Sequence, residues 1–112
     1  MPKKKARFKP PTRPTSYYEL AEIKTLAQTP GAVVIRPDAA LDALSQFGWE
    51  GDDVLRAIGR LRRQDFVKTD PSQKVPGRLL DFYRASMEGE KFYTHFYVDS
   101  QGRLIINSFH KP

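Results

Sequence analysis

The C-terminal third of the chain is dominated by aromatic and β-branched side chains arranged in three runs. The runs Leu79 to Met87, Lys91 to Asp99 and Arg103 to Phe109 are separated by short groups of turn residues, a pattern typical of consecutive antiparallel strands. Glu88-Gly89 suits a tight hairpin because glycine accepts a positive φ, and a second turn is predicted over Asp99 to Gly102. The sequence therefore predicts a sheet of about three strands.

Alternate side chains of the middle run point to opposite faces of this sheet. One set is mostly apolar and is predicted to face the core: Phe92, Thr94, Phe96 and Val98. The other set is aromatic and titratable: Tyr93, His95 and Tyr97. This second face is either an ordinary amphipathic surface with cross-strand aromatic pairs or a surface that binds a planar, charged ligand.

Helices are predicted upstream of the sheet. Ser16 to Glu19 has the form of a capping box and predicts that the first helix begins there. The short apolar segment Ala32 to Arg36 is either a strand or an extended connector. The spacing of three large apolar residues predicts that they face the core from a second helix: Leu41, Leu44 and Phe47. We predict an α+β fold in which helices pack on one face of a small antiparallel sheet and leave the other face open.

Length and composition limit the classes of protein that this chain can be. With 112 residues, we expect a single domain over residues 16–112. The absence of Cys excludes disulfides, thiolate metal sites and cysteine nucleophiles, and it fits a reducing compartment, so we expect a cytoplasmic protein. No apolar run is long enough to cross a membrane, and no metal-binding motif is present, so we expect neither a membrane nor a cofactor.

The net charge of +6 is unevenly distributed. Six of the 19 Lys and Arg residues lie within residues 1–13, where there is no acid, so the other 13 are balanced by the 13 acids. We interpret residues 1–15 as a flexible basic arm, either a solubility tail or a nucleic-acid contact. In the rest of the chain, residues 60–112 carry 10 bases against 6 acids, which would orient a polyanion toward the sheet.

Cleavage of RNA by its own 2′-hydroxyl is a metal-free reaction that suits a basic, aromatic surface. The reaction needs a proton acceptor, cations that stabilise the charged phosphorane and a proton donor for the leaving 5′-oxygen. Candidate phosphate-binding cations are Lys68 and Arg84. The chain has two histidines, His95 and His110, and both fall in the predicted sheet. His95 and Tyr97 are also candidates for stacking on bases. A third helix is predicted to begin at Gly51-Asp52-Asp53. Its basic stripe is either a solvated face or an RNA backbone contact: Arg56, Arg60 and Arg63.

Four segments in this order resemble the MqsR family of bacterial toxins. They are Asp65-Phe66-Val67-Lys68, Asp81-Phe82-Tyr83-Arg84, Lys91-Phe92-Tyr93 and the ending Asn107-Ser108-Phe109-His110. The similarity extends from about Thr12 to the C-terminus. It implies a RelE-like fold, metal-independent and ribosome-independent cleavage of messenger RNA, and neutralisation by a cognate antitoxin.

The resemblance also implies site residues. The family's Lys after the D-F motif corresponds to Lys68, and its Tyr in the middle strand corresponds to Tyr93. The family's Gln before the D-x-Y-R motif is replaced by Leu80, and its Lys at the end of the last strand is replaced by His110. An unperturbed imidazole, with a pKa of ~6.5, exchanges protons near neutral pH, whereas an ammonium with a pKa of ~10.4 mainly supplies charge.

Our hypothesis makes His110 and Tyr93 the proton-transferring pair, and it leaves open which is the base and which is the acid. Lys68 and Arg84 then stabilise the phosphorane. Two alternatives are a non-catalytic RNA-binding module, favoured if Leu80 and His110 mark a lost active site, and a protein-interaction domain with an acidic and a basic half.

Overall fold

The computed structural model describes residues 15–112, so the predicted basic arm lies outside the described residues apart from Thr15. The elements in chain order are α1 (Leu20–Ala27), β1 (Val33–Ile35), α2 (Pro37–Phe47), α3 (Gly51–Gly59), β2 (Phe66–Pro71), β3 (Leu79–Met87), β4 (Glu90–Val98) and β5 (Leu104–His110). A 3-10 turn, Arg63–Asp65, precedes β2. The chain therefore has the predicted α+β composition, with helices first and most strands last.

The described strands form one sheet in the order β1-β5-β4-β3-β2. The three predicted strands β3, β4 and β5 are present and antiparallel, and Glu88 and Gly89 both adopt positive φ in the tight turn between β3 and β4. The prediction of about three strands is wrong, because the described residues contribute five. The two additional strands are short edge strands: β2 contains Pro71, and β1 has only three residues and pairs in parallel with β5.

The hydrophobic core lies between the helices and one face of the sheet. Ile23 of α1, Val54 and Ile58 of α3, and Phe96 of β4 are almost completely buried. Trp49 closes the corner between α2 and α3, where its ring stacks on Phe47 at 4.6 Å between centroids. Burial on this scale is the main stabilising contribution in a domain of this size, and it leaves the opposite face of the sheet to other uses.

The inward face of α2 differs from the prediction. Ala39 and Ala43 are buried, whereas the side chains of Leu41 and Leu44 are 63% and 53% exposed. Small residues four positions apart let the helix backbone approach β5 closely, so the helix turns its alanines rather than its leucines toward the sheet. The prediction that Leu41 and Leu44 face the core is therefore wrong.

The first helix also starts later than predicted, at Leu20 rather than at a Ser16 capping box. The Ser16 hydroxyl donates to the carbonyl of Tyr18 at 2.8 Å. The backbone amides of Tyr17 and Tyr18 donate to the Asp81 carboxylate at 3.1 and 2.8 Å. Because these amides bond to β3, the segment 16–18 stays outside the helix, with bends at Tyr17 and Tyr18. We call this segment the N-terminal strap.

Asp81 is fully buried, with a relative exposure of 0%. Besides the two strap amides, its carboxylate accepts a hydrogen bond from the hydroxyl of Thr69 on β2. A buried carboxylate is stable only when its oxygens are well supplied with donors, and these three donors come from two different segments. Asp81 therefore ties the strap and the edge strand β2 to the centre of the sheet.

Candidate functional site

Three of the predicted catalytic residues form one row across the sheet. Tyr93 of β4 is the register partner of Arg84 on β3 and of His110 on β5. The Arg84 guanidinium carbon lies 5.5 Å from the centre of the Tyr93 ring, and the Tyr93 and His110 rings are 5.9 Å apart at 71°. Directly opposed residues in a sheet project to the same side, so all three side chains share the face that the helices leave open.

A second row beside the first contains Lys68. Lys68 of β2 pairs with Phe82 of β3, and Phe82 pairs with His95 of β4. The Lys68 ammonium lies 4.8 Å from the centre of the Phe82 ring, which is 5.9 Å from the Tyr93 ring. The structure thus brings Lys68, Arg84, Tyr93 and His110 together on one surface, with Phe82 as the shared contact between the rows.

Two β-bulges make this convergence possible. In β2, Phe66 and Lys68 pair with consecutive residues of β3, which leaves Val67 as an extra residue. Phe66 and Lys68 would otherwise point to the same side, so the bulge lets Phe66 enter the core while Lys68 faces outward. In β5, Asn107 is the corresponding extra residue, because its neighbours pair with consecutive residues of β4.

The chemistry of the His110 ring is set by its contact with the next residue. Its Nδ1 lies 2.6 Å from the carbonyl oxygen of Lys111. A carbonyl only accepts hydrogen bonds, so Nδ1 carries a hydrogen and donates it. In the neutral imidazole, the lone pair is then on Nε2, which is the atom available to accept a proton from a substrate.

His95 is chemically different from His110, although both lie on the same face. Burial lowers the pKa of His95 to about 4, and the charges of His110 and Lys68 add to the shift. Its Nδ1 lies 3.3 Å from the side-chain amide nitrogen of Asn107, which donates to it, so the neutral ring carries its hydrogen on Nε2. His95 is therefore a neutral hydrogen-bond donor, and one ring face packs on Phe82 at 4.5 Å.

This pKa shift predicts a pH-dependent contribution to stability. The unfolded pKa of a histidine is about 6.5, so between that value and about 4 the unfolded chain binds more protons than the folded one. Stability contributed by the neutral ring is present above about 6.5 and is lost as the pH falls toward about 4. Since the ring is only half-buried, we expect a loss of about 1–2 kcal/mol in the free energy of unfolding.

The measurement is urea unfolding of wild type and His95→Gln at neutral pH and at about pH 4.5. Glutamine keeps a polar group at the position without titrating, so the difference between the two proteins isolates the histidine from the carboxylates. An equal loss of stability in both proteins would show that His95 does not contribute.

The Lys68 ammonium forms an ion pair with Asp70 of the same strand at 2.8 Å. The side-chain hydrogen bond and the charge of Asp70 raise the pKa of Lys68. Both side chains are 48% exposed, so the pair lies at the surface and contributes little to stability. The ion pair matters for the chemistry of the site, because it keeps Lys68 in its cationic form. Lys68 can therefore supply positive charge but does not act as a proton acceptor.

The site is an open surface rather than an enclosed cavity. A cleft of about 710 Å³ lies between the N-terminal strap, α1 and the 3-10 turn, and it is lined by Lys24, Arg62 and Tyr83 among others. None of Lys68, Arg84, Tyr93 and His110 lines this cleft. An open aromatic and cationic surface suits a polymeric substrate better than a small ligand, which usually needs a concave pocket.

Residues 15–111 match the protein-family model described as motility quorum-sensing regulator, toxin of MqsA. This match covers most of the chain, including every element of the sheet and all helices described above.

The chain belongs to the MqsR toxin family. A search of curated proteins finds no match to it. The family description makes the chain a toxin of a toxin–antitoxin system, which confirms the resemblance found in the sequence. None of the helices within residues 15–112 is long and apolar enough to cross a bilayer. Over the same residues, no three His, Asp or Glu side chains are grouped as ligands for a metal ion.

Leu80, which replaces the Gln implied by the MqsR resemblance, has a structural explanation. Its side chain is 8% exposed and packs with Tyr97 and Ile105 in a small apolar cluster on the open face of the sheet. A glutamine amide would be buried there among apolar neighbours, at a cost in free energy unless it found a partner. In this member of the MqsR family, that end of the face is apolar, and the polar residues lie at the other end.

The predicted base-stacking residue Tyr97 belongs to the same apolar cluster. Its ring is 7% exposed, and the guanidinium carbon of Arg78 lies 4.0 Å from the ring centre. Little of the ring is left for a base, so stacking on Tyr97 would require Arg78 to move. His95, with one ring face on Phe82, is better placed than Tyr97 to stack on a base. Contact of either residue with RNA stays a prediction.

The basic stripe lies apart from this face. Arg56 is on α3 in the helical layer, where its guanidinium bonds to Asp53 at 2.8 Å and to Glu88 at 2.6 Å. The hydrogen bond to Glu88, followed by that to Asp53, raises the pKa of Arg56. Arg60 and Arg63 are exposed on the end of α3 and in the 3-10 turn. The structure does not bring these arginines to Tyr93 and His110, and their contact with RNA stays a prediction.

Sequence reasoning missed several residues that shape the site. Phe82 lies inside the D-x-Y-R motif and touches both rows, and its alternation with Arg84 along β3 was the available signal. Asp70 could have been found as a nearby acid two positions from Lys68. Asn107 is visible in the sequence only as a polar residue in an apolar strand, and its bulge gives no sequence signal.

Proposed function

We propose that this MqsR-family chain is a metal-independent, ribosome-independent endoribonuclease that cleaves single-stranded messenger RNA. The observation that carries the proposal is the convergence of Lys68, Arg84, Tyr93 and His110 in two adjacent rows on one open face. Those are the residue types that cleavage by a 2′-hydroxyl requires: proton-transferring groups beside cations. The proposed substrate is mRNA in the cytoplasm, and the proposed partner is a cognate antitoxin that neutralises the toxin.

The proposed reaction assigns the base to His110. Its Nε2 accepts the proton of the ribose 2′-hydroxyl while the 2′-oxygen forms a bond to the adjacent phosphorus. The contact of Nδ1 with the Lys111 carbonyl, at 2.6 Å, favours this role because it holds the hydrogen on the other ring nitrogen and stabilises the imidazolium that forms.

The bond between phosphorus and the 5′-oxygen breaks in the same displacement. The Tyr93 hydroxyl donates its proton to the leaving oxygen, so the products are a 2′,3′-cyclic phosphate and a free 5′-hydroxyl. The phenolate then takes a proton from solvent, and the His110 imidazolium releases to solvent the proton that it accepted. The geometry that supports this assignment is the position of Tyr93 between Arg84 and His110 in the row.

Arg84, beside Tyr93, and Lys68, across the Phe82 ring, are the two cations. Arg84 has a planar fork that can bind two phosphate oxygens, while the Lys68 ammonium acts as a point charge. Their proposed role is to stabilise the extra negative charge of the phosphorane, which is the largest single contribution in many reactions of this type. His95 donates from Nε2 to the substrate and remains neutral throughout.

Expression of the chain in bacterial cells tests the proposal at its broadest level. We expect growth arrest and the appearance of new 5′ ends in transcripts, both abolished in the Tyr93→Phe, His110→Ala double variant. The purified chain is expected to cleave a single-stranded RNA without ribosomes and in the presence of EDTA. Growth arrest without RNA cleavage would contradict the proposal.

An RNA-binding module without catalytic activity is the second candidate. The burial of Leu80 where the family resemblance implies a glutamine favours it, because a polar contact to substrate is lost there. A gel shift of intact RNA, weakened by salt and without cleavage, would support this candidate against the nuclease.

The Tyr93→Phe variant tests the proton donor. Phenylalanine keeps the ring against Arg84, Phe82 and His110 and removes the hydroxyl alone. Because a positioned general acid contributes about 10²–10⁴-fold to a rate, we expect single-turnover cleavage of an end-labelled RNA to fall by about 10²-fold. Tyr17→Phe, on the N-terminal strap, is the matched control and should leave the rate unchanged, because its exposed ring lies outside the proposed site. Equal rates for wild type and Tyr93→Phe would exclude Tyr93 as the acid.

A further inference from the structure

The end of β5 is attached to the last turn of α2. The backbone amide of Lys111 donates to the side-chain oxygen Oε1 of Gln46 at 2.7 Å. The Lys111 ammonium also lies 5.9 Å from the centre of the Phe47 ring. The residue that follows the strand is therefore held by two neighbouring positions of a helix that is distant in sequence.

The same residue, Lys111, holds the His110 ring. Its amide is bonded to Gln46, and its carbonyl accepts the hydrogen bond from Nδ1 of His110 at 2.6 Å. Among residues 15–112, strand pairing stops at His110, so Lys111 lies just outside the sheet. The bond to Gln46 therefore holds the peptide that joins His110 to Lys111, directly before the peptide whose carbonyl accepts from the His110 ring.

Gln46 is followed by a residue that packs in the aromatic part of the core. Phe47, the next residue, stacks on Trp49 at 4.6 Å and packs on Phe109 at 5.9 Å between ring centroids. Phe109 is fully buried and immediately precedes His110. The helix end and the strand end are thus fixed to each other through the core on one side and through the Gln46 bond on the other.

We propose that Gln46 is a positioning residue for His110, acting through the Lys111 backbone to hold the imidazole with its hydrogen on Nδ1 and its lone pair on Nε2. The inference rests on the proposed nuclease function, which makes His110 the base. Gln46 itself is exposed, so its hydrogen bond contributes little to folding. Its effect is expected in the orientation of one ring rather than in global stability.

The test compares three variants of α2 in the full chain. Gln46→Ala removes the acceptor. Gln46→Glu keeps an oxygen acceptor at the same position and should restore the wild-type behaviour. Ser45→Ala is the matched control, since the hydroxyl of Ser45 contacts only the Asp42 carbonyl among the described residues, at 3.4 Å. Urea unfolding confirms that all three are folded.

Two readouts separate positioning from catalysis. Nitrogen-15 NMR of the His110 ring reports the tautomer directly, and we expect a defined Nδ1–H state in wild type and Gln46→Glu but a mixture of tautomers in Gln46→Ala. Cleavage by Gln46→Ala should show a kcat lowered by about tenfold or more, because misplacement of a reacting group is costly, with KM unchanged.

The outcomes decide the two claims separately. An unchanged tautomer and an unchanged kcat in Gln46→Ala would overturn the positioning role. If wild type cleaves no RNA, the nuclease function fails, and the NMR comparison still decides whether Gln46 orients His110. A rise in KM alone would assign Gln46 to substrate binding instead, and it would also overturn the proposal.

Discussion

Replacement of His110 by alanine is expected to slow RNA cleavage by about 10²–10⁴-fold, the range that a positioned general base contributes. In the proposed reaction the ring accepts the 2′-hydroxyl proton at Nε2, and the described residues offer no second imidazole in a suitable state. His95 is held neutral, with a pKa of about 4, and its Nδ1 already accepts from Asn107. The measurement is the single-turnover rate on an end-labelled RNA across a range of pH.

His110→Lys is the informative control, because it restores the residue type that the family resemblance implies at this position. Lysine supplies charge beside Tyr93 but is a poor proton acceptor near neutral pH. We therefore expect His110→Lys to cleave RNA far more slowly than wild type at neutral pH, although it keeps a cation beside Tyr93. A wild-type rate in His110→Ala would contradict the assignment of the base.

Replacement of Asp81 by alanine is expected to lower the free energy of unfolding by about 3 kcal/mol or more. The carboxylate accepts the amides of Tyr17 and Tyr18 and the hydroxyl of Thr69, so the substitution leaves three donors without their partner. Hydrogen bonds to a charged group contribute about 1.5–3 kcal/mol each. The loss is a large part of the stability of a small domain, typically about 5–15 kcal/mol.

The measurement is urea unfolding, combined with hydrogen exchange at the strap amides. Glu90→Gln, at the exposed start of β4, is the control and should change stability by no more than about 0.5 kcal/mol. Exchange at Tyr17 and Tyr18 should accelerate in Asp81→Ala far more than exchange in the core of β4. A loss below about 1 kcal/mol with protected strap amides would show that Asp81 does not hold the strap.

The parts of the fold that were predictable are those with local signals. The strand β3 has the predicted bounds, Leu79–Met87, because its alternating residues meet a turn in which Glu88 and Gly89 both take positive φ. The alternation along β4 correctly separated buried Phe92 and Phe96 from partly exposed Tyr93 and His95. Such local patterns are enough to define a hairpin and its two faces.

The parts that were missed depend on partners distant in sequence. The sequence left residues 32–36 open as a strand or an extended connector, and the three-residue strand β1 forms there because β5 pairs with it in parallel. Ser16 fits a helix cap by composition, yet the strap stays outside the helix because its amides bond to a distant residue. Asp81, 63 and 64 positions away, accepts hydrogen bonds from the amides of Tyr18 and Tyr17. On α2, the choice between Ala43 and Leu44 as the buried position depends on how closely β5 approaches. None of these interactions is visible in local spacing.

The candidate site was predictable as a set of residues but not as a geometry. Lys68, Arg84, Tyr93 and His110 were chosen by residue chemistry and by resemblance, and the structure places them on one face. They share this face because of two bulges, at Val67 and Asn107. Each bulge reverses the side of the sheet to which the following side chains of its strand point. Because a bulge changes the pairing register without a sequence signature here, the sequence could not show that Lys68 faces away from the neighbouring Phe66.

The most direct test of the account is a chemical one on the substrate. The purified chain is incubated in EDTA with a single-stranded RNA and with the same RNA carrying one 2′-deoxyribose immediately 5′ of the cleaved bond. The account predicts that the RNA is cut to a 2′,3′-cyclic phosphate and a 5′-hydroxyl, identified by mass spectrometry, and that the deoxy substrate stays intact at that position. Cleavage of the deoxy substrate there, or products with a 5′-phosphate, would contradict a reaction in which His110 activates the 2′-hydroxyl.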